Sequence, residues 1–404
     1  MWFFAAAIGI VVAIFVQSRV YKKRGFDGLN YRAGWSSEEV FEGDDVYMYE
    51  ELSNDKRLPL PYVKVDTDLP EGLAFTILKP GEDGGVAKIE KSAQIQSMFS
   101  MKGETSIQRR WRVNCGKRGV YNLEGAIVVV NDIFGVNGES RKVRLSDEDS
   151  LLRRLVVLPT PLDLETHFTS SDYMSGDVVK NHCPVTDPLL MCGLREYSPT
   201  DPMNRINWKS SASHGQLLVN LEERTVRPCF AVLLNMNSRE IEKLADRPSD
   251  TASIELNISV CTSLLDRIAA EDIPVRLIMN SIPEERINLE SDSEGYGEGI
   301  SVSKPFKGKQ DTILALRMLA TLPMTISTPA DKMFDYIASH IEQYRDCENL
   351  IIVTAYLDQR MLNLHEILRR AGIDVIFYVT TSRNYVISIP EGVEVYYRTY
   401  SVTD

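Results

Sequence analysis

The chain has 404 residues, 44% hydrophobic and 25% charged, ordinary proportions for a globular protein and enough length for two or three domains. A formal net charge of −12 argues against general nucleic-acid binding, which needs a basic face, and normal hydrophobicity argues against disorder. The cysteines Cys115, Cys183, Cys192, Cys229, Cys261 and Cys347 are scattered, with no CxxC and no paired spacing. They read as free thiols in a reducing compartment, not as a zinc site or disulfide framework.

Trp2 to Val16 is uncharged and almost wholly apolar. Counted on to Tyr21 the run reaches about 20 residues, which is what a bilayer core of roughly 30 Å needs. Arg19, Lys22, Lys23 and Arg24 follow it, and no Lys or Arg precedes it. The positive-inside bias then predicts a transmembrane anchor over residues 1–24, single-pass in the cell membrane, with the soluble domains cytoplasmic. The charge order and the lack of a small-residue cleavage site do not fit a signal peptide. The alternative is a buried core helix.

From Phe26 the pattern changes to short alternating runs broken by turn residues. Val40 to Leu52 reads as strand, Gly43-Asp44 turn, strand. Tyr62 to Asp66, Ala74 to Leu78, Ser106 to Val113, Gly119 to Glu124 and Ala126 to Val130 are further strands. Strands at this spacing predict a β-sandwich (Ig-like) domain over residues 26–150. Lys117 to Tyr121 and Asn131 to Val136 are turn-plus-strand corners whose glycines allow positive φ.

Residues 151–228 form a connecting segment. Leu155 to Pro159 is a short strand, and Asp163 to Pro188 has loop composition. A dense stretch over residues 193–223 then holds Arg195, Glu196, Tyr197, Asp201, Arg205, Trp208, Lys209 and Gly215. Its spacing predicts a turn at Ser198 to Pro202, with Thr200 or Asp201 as N-cap. A helix follows over Met203 to Ser213, burying Ile206 and Trp208, with Gly215 as its C′ residue. The charges fit a structural ion-pair network, a protein-contact surface or, least well, catalysis, since no nucleophile with a base is nearby.

Residues 229–404 alternate strand and helix. Cys229 to Leu234, Val275 to Met279, Leu350 to Thr354 and Asp374 to Val379 are apolar strands. Ser253 to Ala270, Asp311 to Leu322, Lys332 to Tyr344 and Gln359 to Ala371 are helical. This order predicts an α/β (Rossmann-like) domain with a mostly parallel sheet covered by helices. No GxGxxG or P-loop follows the first strand, so no nucleotide cofactor is expected.

LREYSPTDPMNRINWKSSASHGQLLV, with EGDDVYMYEELSN, RLPLPYVKVDTDLPEGL, KRGVYNLEG and NDIFGV, resembles the bacterial domain-of-unknown-function family 58 over nearly the whole chain. The resemblance implies that the last domain is similar to a von Willebrand factor type A domain. In such domains an Asp-x-Ser-x-Ser motif after the first strand often holds Mg²⁺. Here Asn235, Asn237 and Arg239 stand at those positions, and the strand ending at Thr354 has its nearest acid at Asp358. A hard cation wants anionic oxygens, so the metal site is expected to be degenerate and no cofactor is expected. The resemblance also implies a partner, a MoxR-type AAA+ ATPase, and client proteins in assembly or maturation.

Three functions follow from these readings. The first is a non-enzymatic, membrane-anchored interaction or assembly factor acting with that ATPase. The second is a metal-dependent ligand-binding or adhesion module using Asn235, Asn237 and Ser238. The third is a hydrolase built on His182, Cys183 and Asp187.

Overall fold

Side chains that alternate apolar and polar must put one face of each strand inward, and through the first 160 residues they build sheets. The structure is a computed structural model. It describes residues 2–68, 72–77, 94–133, 138–145, 151–164, 186–198, 203, 206–224, 229–240, 248–285, 299–344, 347, 349–381, 389–390 and 392–399. Two compact units result: Met1–Thr160 with Leu316–Leu322, and Pro161–Ala315 with Pro323–Asp404.

The first unit opens with helix α1 (Trp2–Arg24), 23 residues ending in Lys22, Lys23 and Arg24. At 1.5 Å per residue it is about 34 Å long. Counted over the described residues alone, no helix is long and apolar enough to cross a membrane. Seven apolar residues of α1 (Trp2, Phe3, Ala5, Ala6, Ala7, Ile10 and Val11) have side chains outside the described set.

Among the described residues the strands that follow are β1 (Leu29–Trp35), β2 (Glu39–Phe41), β3 (Asp45–Asn54), β4 (Leu60–Asp68), β5 (Leu73–Ile77) and β6 (Gln94–Met101). Next come β7 (Thr105–Cys115), β8 (Gly119–Asn122), β9 (Gly125–Asn131), β10 (Gly138–Arg144) and β11 (Arg154–Leu158). Two four-stranded antiparallel sheets, ordered β1-β3-β7-β5 and β10-β9-β4-β6, make a β-sandwich; β2-β11-β8 forms a third, smaller sheet. Met48, Trp111 and Val113 from one large sheet share a single apolar core with Val63, Phe99 and Val128 from the other.

The Gly43 turn has φ +95°, which an L side chain rarely adopts. Arg118 is buried, and its Nη1 donates to the carbonyls of Leu319 (2.5 Å), Ala320 (3.3 Å) and Leu322 (3.3 Å). The strand β11, which composition put in the connecting segment, belongs to this unit through its pairing with β2 and β8.

The second unit begins with β12 (Thr186–Glu196), α2 (Trp208–His214) and β13 (Leu218–Arg224), where β12 and β13 pair antiparallel. Then come β14 (Phe230–Leu234), α3 (Thr251–Ala270), β15 (Val275–Met279), β16 (Ser301–Val302) and α4 (Gly308–Ala320), whose residues from Leu316 on belong to the first unit. The chain closes with α5 (Ala330–Ser339), β17 (Asn349–Thr354), α6 (Gln359–Arg370), β18 (Asp374–Thr381) and β19 (Glu394–Thr399). Six strands form one sheet in the order β16-β15-β14-β17-β18-β19, parallel throughout except for β16. All residues of β14 and β17 are buried, as their unbroken apolar runs require. The order reverses between β14 and β17, so the carboxyl ends of those strands form the crevice where ligands of such sheets bind.

Candidate functional site

Each central strand ends in a polar residue that the apolar run before it carries into the interior. Asn235 follows β14, Asn280 follows β15, Thr354 ends β17 and Thr380 lies near the end of β18; all four are fully buried. Buried amides must find partners, and these find one another. Asn235 Nδ2 donates to Thr354 Oγ1 (3.1 Å), which donates to the Tyr356 carbonyl (2.9 Å). The N–H of Asn237 donates to Asn235 Oδ1 (3.0 Å), and that of Met236 to Asn280 Oδ1 (2.8 Å). Asn280 Nδ2 donates in turn to Asn237 Oδ1 (2.7 Å) and to the Thr328 carbonyl (2.9 Å). Behind them, Asn257 Nδ2 reaches the Asn235 carbonyl (3.4 Å), and Thr380 Oγ1 donates to Asn257 Oδ1.

Among the described residues, the hydrogen bonds of this network run between neutral amides, hydroxyls and backbone groups. Asn235 and Asn237 occupy buried hydrogen-bonding positions, and the oxygens that a cation would need already accept N–H groups. Arg239 is exposed. The Ser238 hydroxyl oxygen accepts from the Asp250 N–H (3.0 Å). Asp358 is the N-cap of α6, its carboxylate accepting from the Met361 N–H (2.9 Å). Among the described residues no group of three or more His, Cys, Asp and Glu could hold a metal ion. Calorimetric titration with Mg²⁺ or Mn²⁺ is expected to give no saturable heat; a signal that Asn237→Ala removes would support the metal-dependent reading instead.

Part of the network is legible in the sequence. A lone Asn or Thr closing an apolar strand is a signal that reaches Asn280 and Thr380, whereas Asn235 and Asn237 stand out only as positions of the metal motif that the resemblance implies. Asn257, within α3, and Thr328, outside any strand, carry no such signal.

The signature stretch is a different kind of site. Val219 of β13 is paired on both sides, with Arg195 of β12 and with Ile206. The chain runs from Ile206 into α2 and back into β13. Asn207 caps α2, its side chain accepting from the Ser210 N–H (3.0 Å), and Gly215 ends it at φ +71° with its N–H on the Ser211 carbonyl (2.9 Å). Gly215 is therefore the expected terminator, whereas the helix begins later than Met203. Thr200, Asp201 and Arg205 lie outside the described residues, as do His182 and Cys183 and the side chain of Asp187.

The later start changes which residues are inside. Ile206 is buried as expected, but Trp208 is 63% exposed, because it is the first residue of a short helix whose buried position is Ser211. Arg195, Glu196 and Lys209 are exposed and Tyr197 is half-buried. Arg195 Nη1 donates to the neighbouring Glu196 carbonyl (3.2 Å), a bond along its own strand and not one that ties a helix down. Met203 is 68% exposed, and Leu194 and Leu217 are exposed as well. The stretch thus presents one aromatic and three aliphatic side chains to solvent among charged neighbours.

No family model and no curated protein matches the chain. Among solved structures, an alpha-2-macroglobulin fragment from Escherichia coli is similar over 32% of this chain and 23% of its own length, at 13% identity and TM-score 0.23. A CARDB domain from Pyrococcus furiosus matches over 33% of this chain and 96% of its own, at 11% identity and TM-score 0.19. A non-cellulosomal cohesin from Archaeoglobus fulgidus matches over 30% and 94%, at 13% identity and TM-score 0.19. The chain thus spans about a quarter of the macroglobulin fragment, and these likenesses are too weak to carry a functional conclusion.

Proposed function

We propose that the chain is a non-enzymatic, membrane-anchored interaction or assembly factor. Its signature hairpin would dock a protein partner, a MoxR-type AAA+ ATPase or a client handled with it. The observation that carries this reading is the exposure of Trp208, Met203, Leu194 and Leu217 around β12, α2 and β13. Exposed apolar groups rimmed by charges mark interaction sites, and Trp is enriched among residues that dominate binding.

The last domain is read as von Willebrand A-like because its strand order, its single antiparallel edge strand and its switch-point crevice fit that architecture. The neutral amide network favours a site that binds no Mg²⁺. The anchor reading rests on α1, on the exposure of Phe4 (79%), Ile8, Phe15 and Val16, and on the basic last turn. An aqueous helix would leave those side chains in water at a cost of about 1.5–3 kcal/mol each, a cost that lipid removes.

Two measurements test the proposal separately. Alkaline carbonate extraction of membranes is expected to leave the full chain in the pellet; release into the supernatant would refute the anchor. Affinity capture of the full chain from detergent-solubilised membranes is expected to recover a MoxR-type ATPase, and its absence would refute the partner.

A further inference from the structure

Cys229 and Cys347 are 118 residues apart in sequence, yet their sulfurs lie 3.5 Å apart, with the Cys347 thiol donating to Cys229 Sγ. The fold creates this pair. Phe230 of β14 and Asn349 of β17 are register partners in neighbouring parallel strands. The two cysteines enter those strands from the amino edge of the sheet, opposite the asparagine network. Cys347 is 2% exposed and belongs to the apolar core, whereas Cys229 is half-buried at its margin. A disulfide needs the sulfurs about 1.5 Å closer than they stand.

The geometry points to Cys229 and Cys347 as a redox modification site that closes to a reversible disulfide when the chain meets a peroxide. Cys229 is the accessible sulfur. As thiolate it attacks a peroxide oxygen, forming an S–O bond while the O–O bond breaks; with hydrogen peroxide, water leaves and Cys229 becomes a sulfenic acid. Cys347 Sγ then attacks the Cys229 sulfur, forming the S–S bond and expelling the oxygen as a second water. Two thiols are oxidised by two electrons and one peroxide is reduced to two waters. A neighbour held at 3.5 Å makes the second step effectively unimolecular, so the sulfenic acid does not accumulate.

The other described thiols are internal controls. Cys115 and Cys261 are buried singly, and burial raises both, the first to about 12, which disfavours the reactive thiolate. The cross-link would staple the amino ends of the two strands flanking the switch point.

The test treats the full chain in detergent with hydrogen peroxide, then alkylates it and maps peptides without reduction. The expected result is one Cys229–Cys347 linked pair, 2 Da lighter than the dithiol and restored by dithiothreitol. Dimedone, which traps sulfenic acids, is expected to label Cys229 in Cys347→Ala and at least tenfold less in the wild type. Cys229 and Cys347 remaining alkylatable after treatment, linkage of either to another cysteine, or equal dimedone labelling of both proteins would overturn the proposal. The wild-type map needs no variant, so a Cys347→Ala chain that fails to fold leaves the test intact.

Discussion

Glu50→Ala is expected to destabilise the sandwich by about 3 kcal/mol, a fall in melting temperature on the order of 10 °C, while Glu50→Gln raises stability at neutral pH. Glu50 is 1% exposed and sits in β3 facing the core. Its Oε2 accepts from Ser97 Oγ (2.8 Å) and Trp111 Nε1 (3.4 Å), and its Oε1 accepts from the Tyr31 hydroxyl (3.2 Å). Alanine leaves a cavity and strips the Ser97 and Trp111 donors of their acceptor. Glutamine keeps the shape. Its oxygen can take the Ser97 and Trp111 bonds, and its NH₂ can donate to the Tyr31 oxygen while that hydroxyl turns to Thr67 Oγ1, 3.2 Å away.

The gain comes from removing a buried charge. Burial raises the Glu50 carboxyl above its ordinary value of 4.5, while bonds from Ser97, Trp111 and Tyr31 and the charge of Arg109 pull it back down. Tyr31 itself is raised by burial and by Glu50, so it stays neutral. A carboxyl with a raised folded pKa contributes stability that is fully present below about 4.5 and is lost as pH rises through the folded value. The difference between Glu50→Gln and wild type should therefore widen upward from pH 4.5 and level off. Thermal melts across pH 4 to 8 read it directly; parallel curves would show that folding leaves the Glu50 carboxyl unshifted.

Asn280→Leu is expected to destabilise the α/β unit by about 3–5 kcal/mol without altering anchoring. Leucine matches the volume but removes every polar function of the amide. The Met236 N–H, Asn237 Oδ1 and the Thr328 carbonyl each lose a partner inside a fully buried crevice. Leaving such groups unpaired costs about 1–3 kcal/mol apiece. Asn280→Asp should also destabilise, because a carboxylate accepts from Met236 but cannot donate to the other two. Denaturant unfolding of the purified chain measures both; a wild-type midpoint in either variant would show that the network relaxes around the gap.

What the sequence revealed divides along physical lines. Fully buried elements were legible: β14, β15 and β17 lie within a residue of their apolar runs, and α3 was plain from its period. Strands with weak alternation were not. In β1, Gly34 breaks the alternation with a buried run over Ala33 to Trp35. In β10, Gly138 to Arg144 is mostly exposed, and β19 reads as polar with tyrosines. Position within a folded surface was the least legible property. Trp208 suggested a core residue by its chemistry, and only the start of α2 at Trp208 itself, capped by Asn207, shows it outside. Likewise nothing in the spacing of Cys229 and Cys347 hints that neighbouring strands bring them together, since that depends on the β14–β17 register.

The signature stretch bears the central claim, because the same residues could brace the fold or dock a partner. Trp208→Ala in the full chain separates the two. The account predicts that capture of the MoxR-type ATPase weakens at least tenfold, about 1.4 kcal/mol or more, while the melting temperature stays within about 1 °C of wild type. Capture that is unchanged, or a melting temperature that falls by several degrees, would contradict it.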